Sequence, residues 1–118
     1  MKERQTNPQL LATIRFLKKT SNTNHAAIWG ELAADLRRSK QGRASVNISR
    51  LARSVKEGET IAVPGKVLGM GTPKKITVAA FSFTKEARKK IEEAGGECLS
   101  LSALAERNPK GSGVRIIG

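Results

Sequence analysis

Between Thr60 and Lys85 the chain carries two apolar runs, a glycine-rich link and no acidic residue. The first run is Ile61, Ala62 and Val63. The second, residues 76–81, is apolar and β-branched, the pattern of a buried strand. Pro64 and Gly65 are expected to break the first strand. Gly65, Gly69 and Gly71 free the backbone for positive φ or for close approach to something bulky. Pro73 closes the link. Lys66, Lys74 and Lys75 are the charges it carries. Two buried strands joined by such a segment commit the chain to a sheet with covered faces. The cationic link between them suits an anionic backbone.

Two nucleotide-binding fingerprints can be tested against that link by spacing. A phosphate-binding P-loop requires Gly, four residues, then Gly-Lys-Ser/Thr. Here Gly65-Lys66 is followed by Val67, and the position five before Gly65 is Thr60, so both ends fail. A dinucleotide fingerprint starting at Gly69 has Gly71 in place but needs glycine where Lys74 stands. A plain strand-link-strand connection with solubilising lysines explains the glycines but not the missing acids.

The chain has 118 residues, one domain's worth. Hydrophobic residues make up 38%, with three Phe, one Trp and no Tyr, so a modest core must be built from Leu, Ile, Val and Ala. Twenty-two Lys and Arg face ten Asp and Glu, a net charge of +12. The excess occurs in both halves: 12 basic against 5 acidic in residues 1–60, and 10 against 5 in 61–118. Charge spread this way invites a polyanion on several faces. Cys98 is the only cysteine, so no internal disulfide is possible. No apolar run approaches the ~20 residues that cross a membrane. The N-terminus lacks an apolar signal core. Cytoplasmic residence is the expectation.

Asn7-Pro8 is a helix start, and Leu10, Leu11, Ile14 and Leu17 follow with helical spacing. Lys18 and Lys19 are placed in its last turn, and the polar residues 20–24 read as the turn after it. A second helix over 24–38 carries a stripe of Ala27, Ile28, Leu32 and Leu36, with Trp29 and Ala33 beside it. The two helices should pack as a hairpin, with Trp29 as its anchor. His25, the lone histidine, has no ligating neighbours, so neither a metal site nor catalysis is expected of it.

Residues 36–56 contain seven cations and no acid: Arg37, Arg38, Lys40, Arg43, Arg50, Arg53 and Lys56. Residues 39–45 read as an exposed connector and 46–48 as a short strand. Ser49 is the candidate cap of a brief helix to Val55. Arg50 and Arg53 share one face of that helix, while Leu51 and Val55 turn to the core. Paired arginines suit duplex phosphates. Further on, residues 82–84 cap a helix through Ala94 that Gly95-Gly96 end. Then come a strand at Cys98-Leu99, a helical turn at 101–106, a flexible basic tail at 108–113, and an edge strand at 114–117.

The segment Val-Pro-Gly-Lys-Val-Leu-Gly-Met-Gly, followed by Ile-Thr-Val-Ala-Ala-Phe-Ser and a helix ending in Gly95-Gly96, resembles the large-subunit ribosomal protein family eighteen-e. That family occurs in archaeal and eukaryotic ribosomes and is related to bacterial family fifteen. Thr6-Asn7-Pro8, Ile28-Trp29, Val46-Asn47-Ile48-Ser49 and Gly111-Ser112-Gly113-Val114-Arg115 agree with it, so the likeness spans nearly the whole chain. It implies an irregular strand-and-helix core preceded by helices and basic arms that thread among RNA. It also implies an archaeal-type member, since the chain ends at Gly118 without a long extension.

The fold expected is α/β: an irregular strand-helix core with an N-terminal helical hairpin extension. It forms a single domain, 1–118, in which 1–45 are hairpin and basic arm and 46–118 are core and basic tail. Composition alone points to an RNA- or DNA-backbone binder. The resemblance implies a structural, non-enzymatic constituent of the large subunit, with large-subunit ribosomal RNA and neighbouring ribosomal proteins as partners, and no cofactor, metal or membrane. Candidate RNA contacts are Lys66, Gly69, Gly71, Lys74 and Lys75 in the link. Arg37, Arg38, Lys40 and Arg43 form an arm, and Arg50 and Arg53 a helical pair. Lys110, Gly111, Gly113 and Arg115 make a second close approach in the tail. A free-standing nucleic-acid chaperone and an enzyme acting on nucleic acid are the rival classes. The enzyme would need a carboxylate cluster or histidine pair that is missing here.

Overall fold

The computed structural model describes residues 8–38 and 44–117. Lys40, Arg43, most of the connector at 39–45 and the cap at Asn7 lie outside the described residues. The chain runs α1 (Pro8–Asn24), α2 (Ala27–Arg38), β1 (Ala44–Asn47), α3 (Ile48–Ser54), β2 (Thr60–Leu68) and β3 (Thr77–Phe83). It continues through α4 (Lys85–Glu93), β4 (Glu97–Ser100) and α5 (Leu101–Arg107) to β5 (Val114–Ile116). This is the expected element order, on a five-stranded sheet in which every pairing is parallel.

The strands lie in the order β1-β2-β3-β4. β5 takes the same edge of β2 as β1, but at its other end: Thr60–Ala62 face β5, and Gly65–Leu68 face β1. Alternation along the central strands sends side chains to two cores. Ile61, Val63, Val78 and Ala80 enter one, packed with α3 and α4. Ala62 and Ala79 face the other, where α1, α2 and α5 pack. Small residues on that second face let large ones from the helices approach: Trp29, Leu32, Leu36, Leu101 and Leu104 are all essentially buried.

Three expectations are corrected. First, α1 does not end near Lys19. It runs to Asn24, because Thr20 turns inward and its hydroxyl donates to Phe16 O at 2.9 Å, while Asn24 Nδ2 donates to Thr20 O at 3.0 Å. Satisfied locally, these polar residues stay helical. The break comes at His25, whose φ of 52° is the only positive value among described non-glycine residues. The buried stripe of α2 is centred on Trp29, Leu32, Ala33 and Leu36, and Ala27 is exposed. Second, α3 begins at Ile48 with Asn47 in the cap position, so Ser49 is its second residue.

Third, Pro64-Gly65 do not end β2. The strand continues to Leu68 through a register shift between Val63 and Lys66. Proline is tolerated there because its missing N–H falls at that bulge and in the gap between β5 and β1. The longer strand redefines the link. Thr77 pairs level with Thr60, so the chain must return along the whole of β2 between Leu68 and Thr77. That is about 26 Å at ~3.3 Å per residue. Eight residues, 69–76, cover it, with a reach of about 30 Å when fully extended. The link is therefore a nearly taut strap where parallel strands ordinarily have a helix. It passes between α3 and α4, with Ile76 buried beneath.

Candidate nucleic-acid interface

Because all strands run one way, the carboxyl ends of β1, β2 and β3 share a rim. There α3 begins, the strap leaves and α4 begins. The strap is fixed on both sides. The Ser49 N–H of α3 donates to Met70 O at 3.0 Å, and Gly58 N–H donates to Lys75 O at 2.8 Å. From α4, the Lys90 ammonium donates to Gly69 O at 2.7 Å and to Gly71 O at 3.3 Å, with Glu86 Oε2 at 3.7 Å. Lys90 was not among the sequence candidates. Its partners lie about twenty residues away, and nothing local marks it.

The glycines of the strap answer to neighbours in the same molecule. A Cβ on Gly69 would stand 2.7 Å from Glu86 Cγ. On Gly71, whose φ is 118°, it would stand 2.5 Å from Ser49 N. Gly111 is similarly crowded, 2.4 Å from Ile28 Cγ2, whereas Gly113 is open. Lys74 is turned inward, its ammonium donating to Val55 O at 2.9 Å. The tail is also tied down. Trp29 Nε1 donates to Pro109 O at 2.7 Å and Asn108 Nδ2 donates to Ser112 O at 2.9 Å. Arg115 Nη1 reaches Ser54 O at 2.8 Å, with Glu59 Oε2 3.8 Å from its Nη2.

The other candidates face solvent. Arg37, Arg50, Arg53, Lys66, Lys75 and Lys110 are exposed and make no ion pair among the described residues. Arg38 is exposed too but bonded to Asp35. Two exposed cationic stripes were not singled out from the sequence as candidates. One is Arg15, Lys18 and Lys19 on α1. The other is Lys85, Arg88 and Lys89 on α4, with the Arg88 guanidinium 5.1 Å from the Phe83 ring centroid. Their i, i+3, i+4 spacing was the available signal.

The ionisable groups that are perturbed lie elsewhere. Arg107 holds Glu97 below the usual carboxylate range through two hydrogen bonds of 2.9 and 2.8 Å. Burial pushes the Cys98 thiol up, which keeps it protonated rather than nucleophilic. Among the described residues no three His, Cys, Asp or Glu side chains gather as metal ligands. No described helix is long and apolar enough to cross a membrane.

Fold and surface together define a class: a small parallel α/β domain, apolar inside, whose exposed side chains include many cations without an ion-pair partner among the described residues. A family model described as "Ribosomal protein 60S L18 and 50S L18e" matches residues 2–118. The large ribosomal subunit protein eL18 of Methanospirillum hungatei is 47% identical over 114 residues, covering 96% of this chain and 94% of its own. The eL18 proteins of Methanothermobacter thermautotrophicus and Archaeoglobus fulgidus are 48% and 44% identical over 96% and 97% of this chain. The chain belongs to that family, as its motifs implied, and is therefore a structural ribosomal protein and not an enzyme.

Proposed function

We propose that this chain, a structural constituent of the large ribosomal subunit in the cytoplasm, binds large-subunit ribosomal RNA through backbone and shape. The observation that carries the reading is the group of exposed cations, Arg37, Arg50, Arg53, Lys66, Lys75 and Lys110, without carboxylate partners among the described residues. Arg50 and Arg53 grip a duplex backbone, and Lys66 and Lys75 meet phosphates beside the strap. Arg37 and Arg38, with Lys40 and Arg43, carry charge beyond α2. Lys110 and Arg115 act at the tail, where Gly113 leaves room for close approach. Lys74, Gly69, Gly71 and Gly111 shape these surfaces from within. Residues 1–118 act as one domain, and neighbouring ribosomal proteins are further partners.

The test is hydroxyl-radical footprinting of the protein on large-subunit ribosomal RNA, paired with Lys66→Ala and Arg50→Ala. Each substitution is expected to weaken binding across all RNA sequences, to lower the salt slope by about 1, and to erase a discrete group of protections. Protections and affinity unchanged in both variants would overturn the assignment.

A further inference from the structure

Met70 is the most exposed large apolar side chain among the described residues, at 69%; the next, Leu11, is 37% exposed. A scattered surface methionine needs no explanation. Met70 differs in how it is held. Its own carbonyl accepts from Ser49 N–H, and the carbonyls on either side of it, Gly69 O and Gly71 O, converge on the Lys90 ammonium. Both neighbours are glycines packed against Glu86 and Ser49. The strap has almost no slack. The backbone beneath an exposed apolar side chain is thus fixed from both sides through three successive carbonyls, at the rim where α3 and α4 begin.

We infer that Met70 is an apolar wedge that seats against an unstacked base, or at a base step, of the ribosomal RNA. Charge decides between RNA and a protein pocket. Arg50 follows Ser49 on one side, Lys85 precedes Glu86 on the other, Lys66 lies upstream in β2, and 60–85 contain no acid. Glu86, which packs against Gly69, is an acid there but is ion-paired with Lys90. The exposed cations of these flanking segments carry no ion pair among the described residues and complement phosphates around a base. Apolar side chains inserted at base steps unstack them, and splayed bases offer π faces to which a polarisable thioether binds well. Rigid mounting removes the ordering entropy that a mobile wedge would lose on binding. Lys90 is a positioning residue, acting through the strap rather than on RNA.

This inference rests on the RNA-binding reading, and its test separates the two. Met1 and Met70 are the only methionines, so photo-methionine labels two positions, and tryptic peptide 67–74 reports Met70 alone. On irradiation of assembled large subunits, that peptide is expected to carry a ribonucleotide adduct at one RNA position. Attachment to a peptide of another protein, or recovery of the peptide unattached, would overturn the wedge. In the second arm, Met70→Ser should bind large-subunit ribosomal RNA about 10-fold more weakly with its salt slope unchanged, because no counterion is involved. Met70→Leu should stay within about 2-fold of the parent, since it keeps the apolar volume. Equal affinity of the Ser variant, or a changed slope, would contradict the wedge. If the unsubstituted protein binds RNA with steep salt dependence, the broader reading survives either result. If it does not bind, that reading fails first.

Discussion

At the residue scale, the glycines and lysines of residues 63–80 were visible in the sequence, but their reasons were not. Gly71 is required by Ser49, twenty-two positions earlier, and Gly69 by Glu86, seventeen later. Close approach between distant segments leaves no local pattern. The same holds for ammonium groups: Lys66 and Lys75 face solvent, Lys74 and Lys90 bind carbonyls, and nothing beside each lysine distinguishes them. Gly71→Ala adds both a φ of 118° that a side chain resists and a 2.5 Å collision with Ser49 backbone. Strain and overpacking each cost on the order of 1–3 kcal/mol, so the variant should lose about 3 kcal/mol in urea unfolding. Gly113→Ala, with φ 74° and open space, should lose only about 1 kcal/mol. Equal losses would mean that the contact with Ser49 is unimportant.

At the element scale the order of helices and strands was legible, because apolar periodicity and caps are local. Thr84 and Ser100 accept from Ala87 N–H and Ala103 N–H to start α4 and α5. Gly95 and Gly96 close α4 by donating to Glu92 O and Ile91 O, a Schellman end. The misread boundaries were those where tertiary structure overrides local preference: Thr20 buried in the hairpin, and Pro64 inside a strand at a gap in both ladders. The tie between β4 and α5 gives a titration. Arg107 lowers the Glu97 pKa, chiefly through its hydrogen bonds. A carboxylate with a depressed folded pKa contributes stability above its unfolded value, near 4.5, and loses it as pH falls through the folded value. Arg107→Ala should therefore raise the Glu97 midpoint in an NMR titration and reduce the acid sensitivity of stability below pH 4.5. A midpoint unmoved by the substitution would show that the pair is not formed in solution.

At the scale of the whole molecule, net charge was the most informative number and the least specific. A charge of +12 on 118 residues says that a polyanion is near but not where it lies. The motifs identified the family. The distribution of cations over the strap, α3, α4 and the tail required the fold, because α3 with residue 50 and α4 with residue 85 meet the strap, which itself carries residue 75, only after the strands pair. The central claim is that these cations are held for phosphates. The most direct measurement is the affinity of the intact protein for large-subunit ribosomal RNA across a salt series. With about eight phosphates engaged, log K should fall against log salt with a slope of about −6 to −7. A slope near zero would contradict the account.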